Sequence, residues 1–336
     1  MKNNITIKDI ANLANVSKTT VSFYLNGKFE KMSEDTKSRI EKVIKDTNYQ
    51  PSNVARSLNF KKTNLIGVII GDITNSFANQ IVKGIETFAH TKGYQLIICS
   101  SGYNIDVEKQ YVTTLLAMGV DGFIVQPTIN FKNMYNELNT NKPIVYFDSI
   151  NLTNDDLWVR TNNYEAVANS ITYMFNKGYR HFVMLSGDPD ILTTRQERYN
   201  GFKDVLDRQK LSYDILITSE QPTEQEVKTK LEPILNKYHN IGIFVCNCWL
   251  LSIVYKTIAP YKDRIPNDIG LLGFDSLEWT ELSSPSITTI VQPSYEEGYI
   301  AGKILIDVIE DDNVEITNQI LNCYINEKDS TLKGVK

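Results

Sequence analysis

The sequence has few of the residues that build metal centres and disulfide frameworks. Its 336 residues include three histidines and four cysteines. His90, His181 and His239 are scattered, and none stands at metal-ligand spacing from another. Cys246 and Cys248 lie close together in an apolar strand, but zinc takes four ligands, so the pair is interpreted as core. We therefore expect no metal, no disulfide framework and a reducing cytoplasm.

Catalytic signatures and long apolar runs are also lacking. The sequence contains no Walker A motif, no G-x-G-x-x-G and no G-x-S-x-G, which argues against the enzyme classes that depend on these motifs. No run approaches the roughly 18 apolar residues of a membrane span. The start, MKNNITIKDI, has no apolar signal core. We expect a soluble cytoplasmic protein that is not an enzyme and needs no cofactor.

Charge is distributed unevenly along the chain. Residues 1–62 hold 12 basic and 6 acidic side chains, whereas the remainder holds 23 basic and 34 acidic ones. A basic head on an acidic body favours a polyanion as the partner of the head and disfavours nucleic acid on the body. An ordinary solvated surface is the alternative interpretation of the same charges.

The first 50 residues predict three short helices. Thr6, Ser17 and Ser33 are good N-cap residues, and each precedes apolar residues at helical spacing. Asn15-Val16 predicts a tight turn between the first two helices, and Asn26-Gly27 predicts the end of the second. Such a unit favours a helix-turn-helix, whose second helix enters the major groove of DNA. A small helical cap or a dimerisation module remains the alternative.

The stretch YQPSNVARSLNFKKT follows the head. Pro51 ends the preceding helix, and Ser52 can cap a helix of barely two turns, Asn53 to Leu58. An isolated helix of that length is not stable in water, so it needs docking or a binding partner to form.

The stretches TIKDIANLANVSKTTVSFYLNG and YQPSNVARSL, at this separation, resemble the lac repressor (LacI) family of bacterial transcription regulators. The resemblance extends over essentially the whole chain. It implies a helix-turn-helix DNA-binding domain at 1–50, a hinge helix and linker at 51–63, and an effector-binding and dimerisation core at 64–336.

The resemblance also implies roles for individual residues in the head and hinge. Lys18, Thr19 and Phe23 fall where the family reads bases, and Thr20 and Ser22 fall where it touches phosphates. The hinge leucine wedges into the minor groove, an insertion that kinks the duplex. Where the family often has Arg or His this chain has Phe23, which can make only apolar base contacts, so the operator sequence is not carried over. The full set of expected DNA-binding residues is Thr6, Ser17, Lys18, Thr19, Thr20, Ser22, Phe23, Asn26, Asn53, Ala55, Arg56 and Leu58.

From residue 64 onward, apolar strands alternate with helices in two runs. This rhythm predicts an α/β core of two doubly wound parallel-sheet subdomains, and the resemblance implies that they are arranged as in periplasmic binding proteins. We expect the N-subdomain at about 64–161 and 292–320, and the C-subdomain at about 162–291 and 321–336.

Ligands of such sheets bind beyond the carboxyl ends of the strands. The residues expected there combine carboxylates and amides, which bond sugar hydroxyls, with aromatic rings, which stack on sugar faces. Arg195 and Arg198 are expected to precede the helix that RYNGF opens. By resemblance, Arg198 and Asp275 touch the effector. The expected effector-binding residues are Asp72, Ser76, Phe77, Gln126, Asp148, Arg195, Arg198, Asn247, Trp249, Phe274 and Asp275.

Each of these residues has a structural alternative. Asp72 or Asp275 could cap a helix, Phe77 and Trp249 could be core or lid packing, and Arg195 could form a surface ion pair. The family usually has Asn-Asp where this chain has Asn247-Cys248, which puts the hydrogen bonds of that wall, and with them the ligand's identity, in doubt.

Together these features predict a transcriptional repressor of carbohydrate-utilisation genes, released from a palindromic operator by a small sugar or sugar acid. A palindrome requires a two-fold homodimer, and a co-regulator protein is a further candidate partner. The alternative is a periplasmic-type sugar-binding protein without a regulatory role.

Overall fold

The computed structural model describes residues 5–49, 62–148, 153, 155–275, 278–311 and 313–333. The chain divides into two compact units, Met1–Thr63 and Asn64–Lys336. No helix within the described ranges is long and apolar enough to cross a membrane.

The head contains three α-helices and a short 3₁₀ turn. Helix α1 spans Ile7–Leu13, α2 spans Lys18–Leu25, the 3₁₀ turn spans Phe29–Lys31, and α3 spans Glu34–Thr47. They pack around a small core of Ile10, Ala11 and Val21, with Leu25, Val43 and Ile44 against it.

The predicted caps of the head are confirmed. The Thr6 side chain and Asp9 form a reciprocal capping box, and the Ser17 hydroxyl accepts from the Thr20 amide at 3.1 Å. Asn15 has a φ of 52°, the left-handed conformation expected at the tight turn, and Gly27 has a φ of 70° just after α2. These caps fix α1 and α2 as a helix-turn-helix pair.

The predicted hinge helix lies outside the described residues. This applies to Asn53, Ala55, Arg56 and Leu58, and to the boundary lysine Lys61. The hinge therefore stays a prediction.

The second unit contains two six-stranded sheets. The first has the order β11-β5-β4-β3-β1-β2, and all its strand pairs are parallel. Its strands are β1 Leu65–Ile70, β2 Gln95–Ser100, β3 Gly122–Val125, β4 Ile144–Phe147, β5 Leu157–Thr161 and β11 Gln319–Leu321. The second has the order β12-β10-β9-β8-β6-β7. Its strands are β6 His181–Ser186, β7 Ser212–Ile217, β8 Ile241–Val245, β9 Ile269–Phe274, β10 Thr288–Val291 and β12 Tyr324–Asn326.

One strand pair departs from the predicted parallel pattern. β12 pairs antiparallel with β10. The chain leaves the first sheet at the carboxyl end of β11 and reaches β12 after two residues. Because the carboxyl ends of both sheets face the same cleft, a strand entering the second sheet from the cleft must run against its neighbour. The direct link between the sheets thus explains the antiparallel edge.

Helices cover the faces of both sheets. They are α4 Ser76–Thr91, α5 Ile105–Met118, α6 Phe131–Glu137, α7 Asn163–Asn176, α8 Thr193–Gln209, α9 Glu224–Lys237, α10 Cys248–Ile258, α11 Glu278–Leu282 and α12 Ser294–Glu310. The expected start of α8 was wrong, because the helix begins at Thr193 and both Arg195 and Arg198 lie inside it.

The chain passes between the sheets three times, and hydrogen bonds join the crossings. Asn162 donates to the Asn322 side chain at 3.1 Å and accepts from the Cys323 amide at 2.8 Å. Thr161 donates to Gln292 at 2.8 Å, which links the first crossing to the second. The three connections therefore form one bonded strip at the boundary of the two subdomains.

Candidate functional site

The exposed surface of α2 carries the residues expected to read DNA. Lys18 and Thr19 are exposed, whereas Thr20, Ser22 and Phe23 are half-buried. The other head residues that are expected to contact DNA also make hydrogen bonds within the protein. Thr6 and Ser17 cap helices, and the Asn26 amide donates to the Ser22 carbonyl at 2.8 Å.

Phe23 lies outside the apolar core of the head but is less exposed than expected. Its ring is not among the side chains that pack with Ile10 and Val21 within the described part of the head. The Lys31 ammonium lies 5.0 Å from the centre of the ring, within the range of a cation–π contact. The ring and the lysine together form a small surface with apolar and cationic parts, which suits a thymine methyl beside a phosphate.

A cavity lies in the cleft between the two sheets, at the carboxyl ends of their strands. It encloses about 370 Å³ including its open mouth. Residues of both subdomains line it, and most of them are polar. The lining consists of Asn75, Phe77, Tyr103, Gln126, Asp148, Leu192, Thr194, Arg195, Arg198, Asn247, Cys248, Trp249, Asp275 and Gln292.

Three of the expected effector residues are not in that lining among the described residues. The Asp72 carboxylate accepts from the amide and the hydroxyl of Thr74, each at 2.8 Å, and so closes a local turn, whereas the N-cap of α4 is Asn75. Ser76 opens α4, and its neighbour Asn75 faces the cavity instead. Phe274 lies behind the lining, with the Arg198 guanidinium 3.5 Å from the centre of its ring.

Sequence reasoning missed several lining residues. Gln292 follows β10 directly, so the strand-end rule that found Gln126 could have found it. Tyr103 lies three residues beyond β2 in a left-handed turn with a φ of 57°. Leu192 and Thr194 carried no signal of their own, because the start of α8 has no side-chain cap.

Arg195 is almost fully buried, and the protein itself supplies its anion. The guanidinium binds Glu220 through two hydrogen bonds of 2.6 and 2.8 Å and donates to the Asp188 carbonyl at 3.1 Å. Its Nε has no partner within the described part of the chain. Because the Glu220 carboxylate neutralises the charge of the guanidinium, Arg195 does not require an anionic ligand.

Arg198 is also buried, and its direct partners are neutral. Its Nε donates to the Asn163 side chain at 2.7 Å, and its Nη1 donates to the Cys246 carbonyl at 2.9 Å. Its charge stabilises the nearby carboxylates of Asp148 and Asp275, opposing the effect of their burial. Arg198 therefore serves as the internal counter-ion of the cavity.

The two carboxylates of the lining are each held by one glutamine. Gln126 donates to Asp148, and Gln292 donates to Asp275, each at 2.8 Å. Burial raises the pKa of Asp148 to about 6 and raises the pKa of Asp275, and Arg198 opposes both shifts. Asp148 Oδ1 is buried and has no partner among the described residues, so it can accept a hydrogen bond from a ligand.

Asn247 and Cys248 form one wall of the cavity, and they do not present a pair of polar acceptors to a ligand. The Asn247 oxygen accepts from the Gly187 amide at 3.0 Å, which leaves its amide nitrogen as the remaining donor. Burial raises the pKa of Cys248 to about 12, so it is a neutral thiol, and it donates to Asn75 at 3.3 Å across the cleft.

Two further contacts join the subdomains beside the cavity. Arg160 of β5 and Glu197 of α8 form an ion pair of 2.8 Å, with both side chains largely buried. The Arg195 guanidinium lies 5.8 Å from the centre of the Tyr103 ring. Polar and cation–π contacts therefore span the cleft between the subdomains.

Comparison with known families identifies both parts of the chain. Residues 6–52 match the family model of bacterial regulatory proteins, lacI family, and residues 66–313 match a periplasmic binding protein domain. The resemblance deduced from the two sequence motifs is confirmed.

Curated relatives are similar over nearly the whole chain. The probable HTH-type transcriptional regulator EndR of Paenibacillus polymyxa is 32% identical over 98% of both chains. The ribose operon repressor of Halalkalibacterium halodurans is 31% identical over 91% of this chain and 90% of that one. The sucrose operon repressor of Lactococcus lactis is 30% identical over 94% and 97%, respectively.

Solved structures share the fold. The lac repressor dimer bound to operator and the anti-inducer ONPF superposes with a TM-score of 0.85 at 22% identity, covering 98% of this chain and all of that one. A regulator from Alkaliphilus metalliredigens complexed with D-xylulofuranose gives 0.70 at 26% identity, covering 80% of this chain and all of that one. The predicted fold class, with a helix-turn-helix head and two α/β subdomains, is confirmed.

Proposed function

Since the chain belongs to the lacI family of bacterial regulatory proteins and is a DNA-binding transcriptional regulator, we propose that it represses carbohydrate-utilisation genes and that a small sugar releases it from a palindromic operator. The observation that carries this proposal is the polar cavity between the subdomains. Its buried Asp148 has an acceptor oxygen, Oδ1, without a partner among the described residues, and this oxygen lies in the same lining as the donors of Arg198 and Asn247. Such a combination suits a ligand with several hydroxyl groups.

The relatives support a carbohydrate as the effector. Among them are repressors named for ribose and sucrose operons. Related structures contain D-xylulofuranose, ribose or cellobiose. We propose that the ligand of this chain belongs to the same chemical class and that the protein acts by binding it, without catalysis.

The charges of the cavity favour a neutral sugar over a sugar acid. Glu220 neutralises Arg195, and Arg198 faces two carboxylates, Asp148 and Asp275. An anionic ligand would add a third negative charge beside Arg198, at a cost that grows in a buried site.

DNA binding completes the proposal. Lys18, Thr19 and Phe23 reach base edges from α2, the second helix of the pair, as in other helix-turn-helix units. A palindromic operator presents two half-sites, so the active form is a homodimer, and it acts in the cytoplasm, where the operator is.

Selection of binding sites from random DNA, followed by operator release, tests the function. The full chain should enrich a palindrome, and Thr19→Ala should weaken that enrichment. D-ribose, D-xylulose, sucrose and cellobiose are then added to the operator complex, with D-gluconate as the acidic comparison. At least one neutral sugar should release the DNA. Failure to enrich any palindrome would contradict the DNA-binding role, and release by gluconate alone would contradict the neutral effector.

A further inference from the structure

Glu297 is a buried acid that lies behind the cavity and does not line it. It stands near the start of α12, and none of its surface is exposed. Its Oε1 accepts from the backbone amide of Asp148 at 3.1 Å. Its Oε2 is buried without a partner among the residues that the structure describes. A side chain placed here only to fill space would be apolar, so this carboxyl group calls for a physical reason.

The position of Glu297 is fixed by close helix packing. The next residue, Gly298, touches α4 so closely that a Cβ there would overlap the Ile81 carbonyl. Gly84 of α4 makes the reciprocal approach to the backbone of α12. Because the two backbones are in contact, the backbone that carries Glu297 is held in place beside Asp148.

Asp148 depends on an acceptor at this position. It follows β4 with a φ of 52°, a left-handed conformation that is uncommon for residues other than glycine. Its amide is directed at Glu297, and its carboxylate is directed at Gln126, with Oδ1 left over for the cavity. The hydrogen bond from the amide therefore helps to hold the orientation in which Asp148 faces a ligand.

Charges from several elements act on Glu297. Burial raises its pKa well above the ordinary value, and the negative charges of Asp148 and Asp275 raise it further. The Arg198 guanidinium on α8 and the hydrogen bond from the Asp148 amide oppose the increase. The thiol of Cys323, on the third crossing, also faces these acids and has its pKa raised to about 12 by burial. These directions agree in favouring one negative charge on the pair over two.

We propose that Glu297 is the positioning residue of Asp148 and holds a proton while Asp148 is ionised, so that the pair presents a single, oriented carboxylate to the effector. This inference rests on the proposed function in assigning Asp148 to the effector. A protonated carboxyl group still accepts through one oxygen, so it can hold the Asp148 amide without placing a second charge beside Asp148. Glutamine has the same shape and the same acceptor, and leucine has neither acceptor nor charge.

The first experiment needs no ligand. Thermal unfolding of the full chain is measured from pH 5 to pH 8 for wild type, Glu297→Gln and Glu297→Leu. Glu296→Gln is the matched control, because Glu296 precedes Glu297 on the same helix and is exposed. A carboxyl group with a raised pKa in the folded state stabilises the fold at low pH and loses that contribution as pH rises. Glu297→Gln should therefore gain on wild type as pH rises, by up to about 3 °C in Tm per pH unit. Glu296→Gln should stay parallel to wild type, and Glu297→Leu should unfold at lower temperature at every pH.

The second experiment measures the positioning role with the sugars named above. Each of D-ribose, D-xylulose, sucrose and cellobiose is added at pH 7, and the increase in Tm is compared among the variants. For any sugar that stabilises wild type, Glu297→Gln should keep the increase and Glu297→Leu should lose most of it. Retention of the full increase in Glu297→Leu would overturn the positioning role. A difference in Tm between wild type and Glu297→Gln that stays constant across the pH range would overturn the claim that Glu297 holds a proton. If no sugar stabilises wild type, the proposed effector class fails, while the pH comparison still decides whether the pair holds a proton.

Discussion

Replacing Arg198 by methionine should separate operator binding from release. Methionine has an unbranched side chain that can still pack on Phe274, but it removes the guanidinium whose charge acts on both Asp148 and Asp275. We expect Arg198→Met to bind operator as tightly as wild type does. It should stay bound when the sugar that releases wild type is added. The result would be a permanently repressing protein.

The cost in stability can be worked from the contacts of the guanidinium. The substitution removes hydrogen bonds of 2.7 and 2.9 Å to Asn163 and Cys246 and leaves two buried carboxylates without their counter-ion. Removing one partner of a buried ionic group typically costs about 3–5 kcal/mol. For a domain of this size that is a decrease in Tm of roughly 6–20 °C. DNA binding must therefore be measured well below the Tm of the variant.

The pH dependence gives the sharper test. Without Arg198, the pKa values of Asp148 and Asp275 should rise further, because burial raises both and the guanidinium opposes the rise. Their protonation then restores stability as pH falls, so the deficit of the variant should be largest at pH 8 and smaller at pH 5. Thermal unfolding across this range measures the change.

Arg208→Met is the matched control. Arg208 lies in the last turn of the same helix, is exposed, and bonds only the Asp204 carbonyl through its Nε among the described residues. It should change neither Tm nor operator release appreciably. A deficit in Arg198→Met that does not vary with pH, or normal release of operator by the sugar, would refute the counter-ion role.

Three further substitutions test other parts of the molecule. Phe23→Ala should lower discrimination between operator and random DNA by about 1–3 kcal/mol, measured as the ratio of the two Kd values at one salt concentration; equal losses on both DNAs would mean that the ring packs inward. Ser17→Ala should destabilise the head by about 1 kcal/mol, since its hydroxyl caps α2, whereas Ser38→Ala, on the exposed face of α3, should be close to neutral by circular dichroism. Arg160→Met, which breaks the ion pair with Glu197 between the subdomains, should change the sugar concentration needed for half-release, whereas Lys303→Met, which breaks an ion pair within α12, should leave it unchanged.

Much of the fold could be predicted because its signals are local. Buried strands such as β1 and β9 are continuous apolar runs, which predict strands without any knowledge of the rest of the fold. The head was predicted in more detail because Thr6, Ser17 and Ser33 mark the starts of its helices. The start of α8 was missed because its N-cap, Leu192, makes no side-chain hydrogen bond. When a helix has no capping side chain, the sequence does not mark the residue at which it begins.

The cavity was predicted less completely, because the role of a residue at a strand end depends on the groups that it contacts in the folded protein. Asp72 and Asp148 both follow strands of the first sheet, yet Asp72 caps a local turn and Asp148 faces the cleft. Arg195 was expected either to bind the effector or to form a surface ion pair, and the structure shows it buried and paired with Glu220, 25 residues further along the chain. No periodic pattern connects such residues, so the charge balance of a site emerges only from its three-dimensional arrangement.

The distribution of the lining residues explains how a ligand could act as a switch. Gln126 and Asp148 belong to the first subdomain, whereas Arg198, Asn247 and Asp275 belong to the second. A ligand that bonds both sets at once loses contacts when the cleft opens, so it binds one geometry better than the other. Each subdomain has its own apolar core, and the three bonded crossings between them are short. Because neither core extends across those crossings, a change in the angle between the subdomains is the motion that we propose for the switch. Coupling free energies of about 1–3 kcal/mol, typical of such switches, require only a few hydrogen bonds that form in one geometry and not in the other.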